Sequence, residues 1–379
     1  MEMKYVDDPK INEKVSEIIE ELKEEIVSHF HPKSIILTGS FGRGEATVVE
    51  ENGKLKFLSD CEIILIPYKW IFDRWKINEF ERDFYEKTGL KVEIWGFTPT
   101  LYLCFPLINY KMKPTVASYD LKYGSKVIYG KDYLKKIPNF RPEDIPLWEG
   151  VKLILNRMAE AMEYFSLEDP SQEMVFWTDK IVLACQDALL LSLRKYHPSL
   201  RRRNELFRKH FFTFKEIEIK NLLYMATNAT ERKLSGKIHV IDPLNYWFSA
   251  SEVANKVFRY IIKKCFNIVF EDWADFHKQY LKRVTSSFPT PQNFLTYFKL
   301  FLFKKTGNPL PLNSLLFRTS FRHLIYSVVP LAYFGLCRDE ISKTCLAYCL
   351  KVLSSFGVNC KHEPNECIKK IVMMWKYVR

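Results

Sequence analysis

Two short apolar runs, Ile35-Ile36-Leu37 and Ile63-Ile64-Leu65-Ile66, flank a glycine-bearing turn and a pair of acids, and together they constrain how the N-terminal region folds. Each run is too short for a helix and reads as a buried strand. Thr38-Gly39-Ser40 closes the first strand, and Gly42 and Gly44 keep the turn free of Cβ atoms, so that the backbone can approach a ligand closely. The second run is entered through Ser59-Asp60-Cys61-Glu62. Residues two apart on a strand share a face, so Asp60 and Glu62 project together and Cys61 projects the other way. Lys91-Val92-Glu93-Ile94-Trp95 has the pattern of a further strand, stopped by Gly96 and Pro99. Paired beside the Asp60 strand, it adds Glu93 to the same group. Three clustered carboxylates repel one another unless cations neutralise them. Next to a flexible Gly-Ser turn, they predict a seat for Mg²⁺ and a polyphosphate.

At these residues the chain resembles the nucleotidyltransferase superfamily that includes DNA polymerase β, CCA-adding enzymes and aminoglycoside nucleotidyltransferases. The shared pattern is a Gly-Ser turn, an Asp-x-Asp/Glu pair on a strand, and a third acid on a later strand; Gly39-Ser40, Asp60-Cys61-Glu62 and Glu93 follow it in order. The resemblance covers the first 135 residues or so, with a weaker echo beyond, and within it Lys126-Val127-Ile128-Tyr129-Gly130-Lys131-Asp132 resembles a segment that follows the catalytic sheet in small-substrate nucleotidyltransferases. The third acid is Glu where Asp is commoner in the family. Nineteen residues separate Ser40 from Asp60, a longer span than the family usually has. A hairpin accounts for the extra length. Thr47-Val48-Val49 and Leu55-Lys56-Phe57 read as two short strands around Asn52-Gly53, and Asn-Gly suits the positive φ angles of a type I′ turn. Rival phosphate motifs do not fit, since the turn lacks the Lys-Ser/Thr ending of a P-loop and does not read G-x-G-x-x-G.

The resemblance implies a mixed sheet with helices and transfer of a nucleoside monophosphate from an NTP, ATP being the expected one, to an acceptor hydroxyl, with release of pyrophosphate. It also implies catalytic and metal-binding roles for Asp60 and Glu62, which would hold two Mg²⁺ ions, with Glu93 sharing one of them. Gly39, Ser40 and Arg43 would grip the β- and γ-phosphates. Lys180 and Asn156-Arg157 are candidates for a basic residue that a following helical domain supplies to the triphosphate, with Asp187 a weaker candidate for a base. The expected acceptor is a small hydroxylated molecule. An RNA 3′ end, a protein hydroxyl (AMPylation) and a non-catalytic nucleotide-sensing or RNA-binding protein stand as alternatives.

Composition sets the outer bounds. The 379 residues suffice for two or three domains, and 47% hydrophobic and 15% aromatic residues indicate folded cores. No apolar run reaches the ~18 residues a membrane span needs, and the first residues show no apolar signal region. A soluble, cytoplasmic protein without a membrane partner is expected. The formal charge of +12 favours polyanions, whether NTP, RNA or an acidic surface. Arg201-Arg202-Arg203, followed by Arg208, Lys209 and His210, reads as a solvated helix face or a phosphate-contacting patch. The nine cysteines include no C-x-x-C pair and are expected as reduced thiols, with Cys345 and Cys349 one helical turn apart in a core.

The organisation predicted is α+β, an N-terminal mixed sheet with helices followed by a mainly α-helical C-terminal region. Residues 1–137 form the catalytic domain, 138–147 a Pro-rich linker, 148–240 a helical domain and 241–379 a further helical domain. Apolar spacing predicts helices over 10–30 and 72–88, then 148–166, 172–196, 246–283, 291–306, 313–335, 338–356 and 364–378. His29 and His31 belong to the turn that ends the first helix.

Overall fold

The computed structural model describes residues 3–68, 74–95, 112–237, 239–286, 318–336 and 342–378. The expected helix over 291–306 lies outside them, as do parts of those over 313–335 and 338–356. The chain forms two compact units. One takes Met1–Glu149, Leu190–Phe211 and Ala226–Ile238; the other takes Gly150–Leu189, Phe212–Met225 and His239–Arg379.

The first unit opens with helix α1, Pro9–Phe30. Asp8 caps it by accepting from the backbone N–H groups of Lys10 and Ile11, and Pro9 sits where a missing N–H is harmless. His31 ends the helix in the left-handed conformation, its N–H donating to Val27 O, and His29 Nδ1 lies 2.8 Å from Glu25 O. Both histidines therefore serve the turn. Val15, Ile19, Leu22 and Ile26 form the buried stripe.

A four-stranded sheet follows, with β1 (Pro32–Leu37), β4 (Cys61–Pro67), β5 (Val92–Trp95) and β6 (Lys126–Gly130) in the order β5-β4-β1-β6. β1 runs antiparallel to β4 and β6, whereas β4 and β5 are parallel. Between β1 and β4 lie the short helix α2 (Gly39–Arg43) and a hairpin of β2 (Val48–Glu51) and β3 (Lys54–Phe57). Asn52 and Gly53, both at positive φ, make its two-residue turn between Glu51 and Lys54, as the Asn-Gly pair predicts. Helix α3 (Arg74–Thr88) joins β4 to β5, and α4 (Val116–Gly124) precedes β6.

Period-two alternation sorts the sheet's side chains. Ile35 and Leu37 of β1, Cys61, Ile63 and Leu65 of β4, and Val92 and Ile94 of β5 pack into one core with Ile19, Leu22 and Ile26 of α1 and Phe80 and Phe84 of α3. Burying each large aliphatic side chain contributes about 1.5–3 kcal/mol. The alternate positions, Glu62 and Ile64 on β4 and Glu93 on β5, face away from that core. A one-residue slip of either strand would bury a carboxylate among these residues, so the core sets the register.

β5 is an edge strand, and α3 covers its exposed backbone. Ile94 N–H donates to Glu81 Oε1 at 2.7 Å and Arg74 donates to Ile94 O at 3.0 Å, which satisfies groups that would otherwise offer pairing to another strand. The later segments of this unit are anchored through Glu45. Its carboxylate accepts from Ser199 Oγ (2.6 Å) and from the N–H groups of Leu200 (2.9 Å) and Arg201 (3.2 Å), capping the helix Leu200–His210. Gly236, at φ +71°, packs against the hairpin, where a Cβ would lie 2.6 Å from Val49 Cγ1.

In the second unit all the described elements are helical. They include Pro243–Phe266, Trp273–Val284, Phe321–Leu336, Lys343–Ser355 and Pro364–Val378, around a core containing Trp247, Phe258, Phe276, Tyr280, Tyr333 and Trp375. Cys345 and Cys349 are buried on one helix, as the spacing predicts. The single helix expected over 246–283 is two. Asn267 adopts φ +55° and closes the first, and Asp272 caps the second by accepting from Asp275 N–H. The helix expected over 148–166 ends at Ala161, and that over 172–196 ends at Ser192, shortly before Arg194 at φ +59°. The architecture is thus mixed: a small four-stranded sheet near the N-terminus and a mostly helical C-terminal half. Among the described residues no helix is long and apolar enough to cross a membrane.

Candidate active site

The acids meet because β4 and β5 pair in parallel with Glu62 opposite Glu93, and Cys61 N–H, donating to Lys91 O at 2.8 Å, sets Lys91 beside Asp60 one step earlier. Lys91 and Glu93 are two apart on the strand, as are Asp60 and Glu62, so four charged side chains share one face of two neighbouring chains. Lys91 Nζ donates to Asp60 Oδ2 at 3.1 Å and to Glu93 Oε1 at 2.8 Å. Burial disfavours the Lys91 ammonium, but the bonds to Glu93 and Asp60 outweigh it and raise the pKa.

Glu62 sits deeper. Burial pushes its pKa up; the Arg43 charge opposes this, Glu93 and Asp60 add to it, and a 3.5 Å contact in which Thr38 Oγ1 donates to Glu62 Oε2 lowers it. Thr38 is also tied by its N–H to Glu62 O at 2.8 Å, which joins the end of β1 to β4. Gly39, the first residue of α2, has φ +62°, and a Cβ there would lie 2.6 Å from Glu62 Oε2 and 2.9 Å from its Cδ. Only glycine leaves the carboxylate in its place. Gly42 is required for a separate reason, since its Cβ would strike Leu37 O (2.6 Å) and Gly124 O (2.8 Å), where α2 lies against neighbouring backbone.

A cleft of about 660 Å³ opens beside these groups, lined among others by Thr38, Gly39, Arg43, Glu62, Trp95 and Asp120. Its size lies within the range of small-molecule sites. The Arg43 side chain is mostly covered and pairs loosely with Glu45, Nε to Oε2 at 3.6 Å. Asp120 accepts from Tyr196 OH at 3.1 Å, and Arg203 donates to the same phenol oxygen at 3.1 Å, so the helix capped by Glu45 also supports one wall. At the entrance to β4, Ser59 Oγ accepts from Thr47 N–H (2.9 Å) and from Lys233 Nζ (3.3 Å), which fixes the residue before Asp60.

The first unit therefore holds Asp60, Glu62 and Glu93 on neighbouring strands with Gly39 and Arg43 beside Glu62, and Ser40 follows Gly39 in α2. Lys180, Asn156, Arg157 and Asp187 belong to the second unit. There the Lys180 ammonium lies 3.6 Å from the Trp177 ring centroid, Asn156 Oδ1 accepts from Tyr326 OH and Trp375 Nε1, and Arg157 pairs with Glu160. Sequence reasoning missed Lys91, Thr38, Lys233 and Asp120. Lys91 carried a readable signal, its two-residue spacing from Glu93; Lys233 carried none.

All-oxygen carboxylate donors suit a hard divalent cation. Among the described residues, no group of three His, Cys, Asp or Glu side chains lies close enough to share one metal ion. Two do converge on a single cationic centre, because one ammonium reaches both Asp60 and Glu93. Mg²⁺ is commonly held by one or two carboxylates together with substrate phosphates, and Asp60 and Glu93 present two carboxylates to one cation. Comparison with models of protein families, with curated proteins and with solved structures finds no match to this chain.

Proposed function

We propose that this chain is a Mg²⁺-dependent nucleotidyltransferase that moves a nucleoside monophosphate from an NTP, ATP first among them, to the hydroxyl of a small acceptor and releases pyrophosphate. The observation that carries the reading is the register pairing of Glu62 with Glu93, with Asp60 at the entrance to the same strand and the Gly39 turn against Glu62. Asp60, Glu62 and Glu93 would hold Mg²⁺, two ions in all, which when bound supply charge neutralisation at the triphosphate and a more acidic acceptor hydroxyl.

The chain's own residues supply placement. Thr38 orients the Glu62 carboxylate from the end of β1, and Gly39 leaves room for it. The first N–H groups of α2, at Gly39 and Ser40, have no acceptor within the helix and would meet phosphate oxygens. Arg43, on the cleft wall, adds a fixed positive charge beside Glu62. The cleft walls would hold the nucleoside beside Glu62, the one of the three acids that lines them, so rate acceleration rests on positioning and fixed charge. A nucleotide and a small acceptor suit a cleft of about 660 Å³.

The test is label transfer from α-labelled NTPs, with Mg²⁺, to pools of sugars, aminoglycosides and short RNAs and to the protein itself. Asp60→Asn and Glu62→Gln run beside the unaltered chain. Transfer and pyrophosphate release lost in both variants support the reading and identify the acceptor. Absence of Mg·NTP binding to the unaltered chain refutes it.

A further inference from the structure

Lys91 is a charged residue of this site that the proposed chemistry leaves unused. Its backbone is held by Cys61 N–H, and its Nζ stands between Asp60 Oδ2 (3.1 Å) and Glu93 Oε1 (2.8 Å), the two carboxylates that face each other diagonally across β4 and β5. The ammonium is thus already where a cation bridging these two acids would sit. Register also sets this positive charge beside the carboxylates, where repulsion between the acids is relieved by a counter-charge.

The side chain is 57% exposed, and its ammonium is held by the two ion pairs. A four-carbon stem is flexible, and a second cleft of about 670 Å³, lined by Lys91 itself with Arg74, Glu81, Tyr85 and Trp95, opens along the same strand. Displaced from Asp60 and Glu93, the ammonium has space to enter. Two exposed ion pairs are individually weak, so a divalent ion can compete for the position, at a disadvantage that the lysine sets.

We infer that Lys91 is a tethered counter-cation that occupies the Asp60–Glu93 position and competes there with a divalent ion, so that metal loading of this half of the site requires the lysine to swing away. The inference rests on the proposed metal-dependent reading of the acids. Lys91 acts here as a positioning residue, holding the two carboxylates in place when no metal is bound.

The experiment is a Mn²⁺ titration of the full chain without nucleotide, followed by the loss of the free-ion electron paramagnetic resonance signal, with circular dichroism confirming that each variant is folded. Lys91→Met is expected to gain one Mn²⁺ site or to bind about tenfold tighter, a shift of 1.4 kcal/mol, and Glu93→Gln in the Lys91→Met background should abolish the gain. Lys91→Arg, which keeps the charge, should behave as the unaltered chain does. Equal stoichiometry and affinity for the unaltered chain and Lys91→Met, with binding still lost in Asp60→Asn, overturns the inference and leaves the metal reading standing. Mn²⁺ binding that is absent throughout, or indifferent to Asp60→Asn and Glu62→Gln, overturns both.

Discussion

Replacing Gly39 by alanine separates two costs that the structure assigns to one position. The first is backbone conformation, because φ is +62° and a left-handed residue with a Cβ costs about 1–2 kcal/mol. The second is collision, because the new Cβ would stand 2.6 Å from Glu62 Oε2, and overpacking of this kind costs about 1–3 kcal/mol. Gly53 supplies the control. It has φ +75° but nothing within 4 Å of its would-be Cβ, so Gly53→Ala carries the first cost alone. Urea unfolding monitored by circular dichroism should therefore show Gly39→Ala to be less stable than Gly53→Ala by about 1–3 kcal/mol. The excess should vanish when Gly39→Ala is made in a Glu62→Ala background, where the colliding carboxylate is gone. Label transfer should fall by about 100-fold in Gly39→Ala, as expected when a reacting group is displaced by an ångström, and be unchanged in Gly53→Ala. Equal stabilities for the two variants, or an excess that persists without Glu62, would refute the argument that Gly39 exists to admit the carboxylate.

Other perturbations test other links. Burial holds the Glu62 pKa above its ordinary value, so its neutral form is favoured on folding and the ionised form is a burden at neutral pH. Glu62→Gln should raise the melting temperature of the metal-free protein at pH 8, and the gain should disappear as pH falls below about 4.3, where the unfolded glutamate is protonated too. Glu45→Ala removes three hydrogen bonds at the start of the helix Leu200–His210 and should cost about 2–4 kcal/mol by urea denaturation, with Glu45→Gln intermediate. His323 and His277 are each held down to about 4 by burial, so both must take up protons on unfolding at acid pH. Stability of the second unit should fall between pH 6.5 and 4 by up to about 1.4 kcal/mol per pH unit for each histidine. His323→Asn should flatten that slope, measured as urea midpoint against pH.

How much of this was legible beforehand follows from the range of each interaction. The strand pair and its acids were readable because alternation is local, with Cys61, Ile63 and Leu65 declaring one face and Asp60, Glu62 and Ile64 the other. The Asn52-Gly53 turn was readable because its φ angles demand those residues. The break at Asn267 had a signal, Asn followed by the cap Asp272, but continuing apolar and aromatic residues masked it. The return of Leu190–Phe211 and Ala226–Ile238 to the first unit had no local signal. It depends on Glu45 finding Ser199, 154 positions away, and on Ser59 meeting Lys233, 174 positions away. The setting of Glu62 was hidden for the same reason, since Thr38 and the Gly39 turn reach it from more than twenty positions away.

That dependence ties the acids to the core more closely than their position on an outer face suggests. Ile63 and Ile94 are directly paired across β4 and β5, and both are fully or almost fully buried against α1 and α3. One residue away in each strand stand Glu62 and Glu93, whose pairing is fixed by the same ladder. A register slip that moved the acids out of alignment would also carry Ile63 or Ile94 out of the core, so the hydrophobic term that folds the sheet also holds two like charges side by side. The repulsion left over is too local to unfold the strand pair, and it is met where it arises, by Lys91 at the open end and by Thr38 and Arg43 at the covered end. Carboxylates held together by packing and not by their own attraction are relieved by a neighbouring cation, as Lys91 relieves Asp60 and Glu93 here.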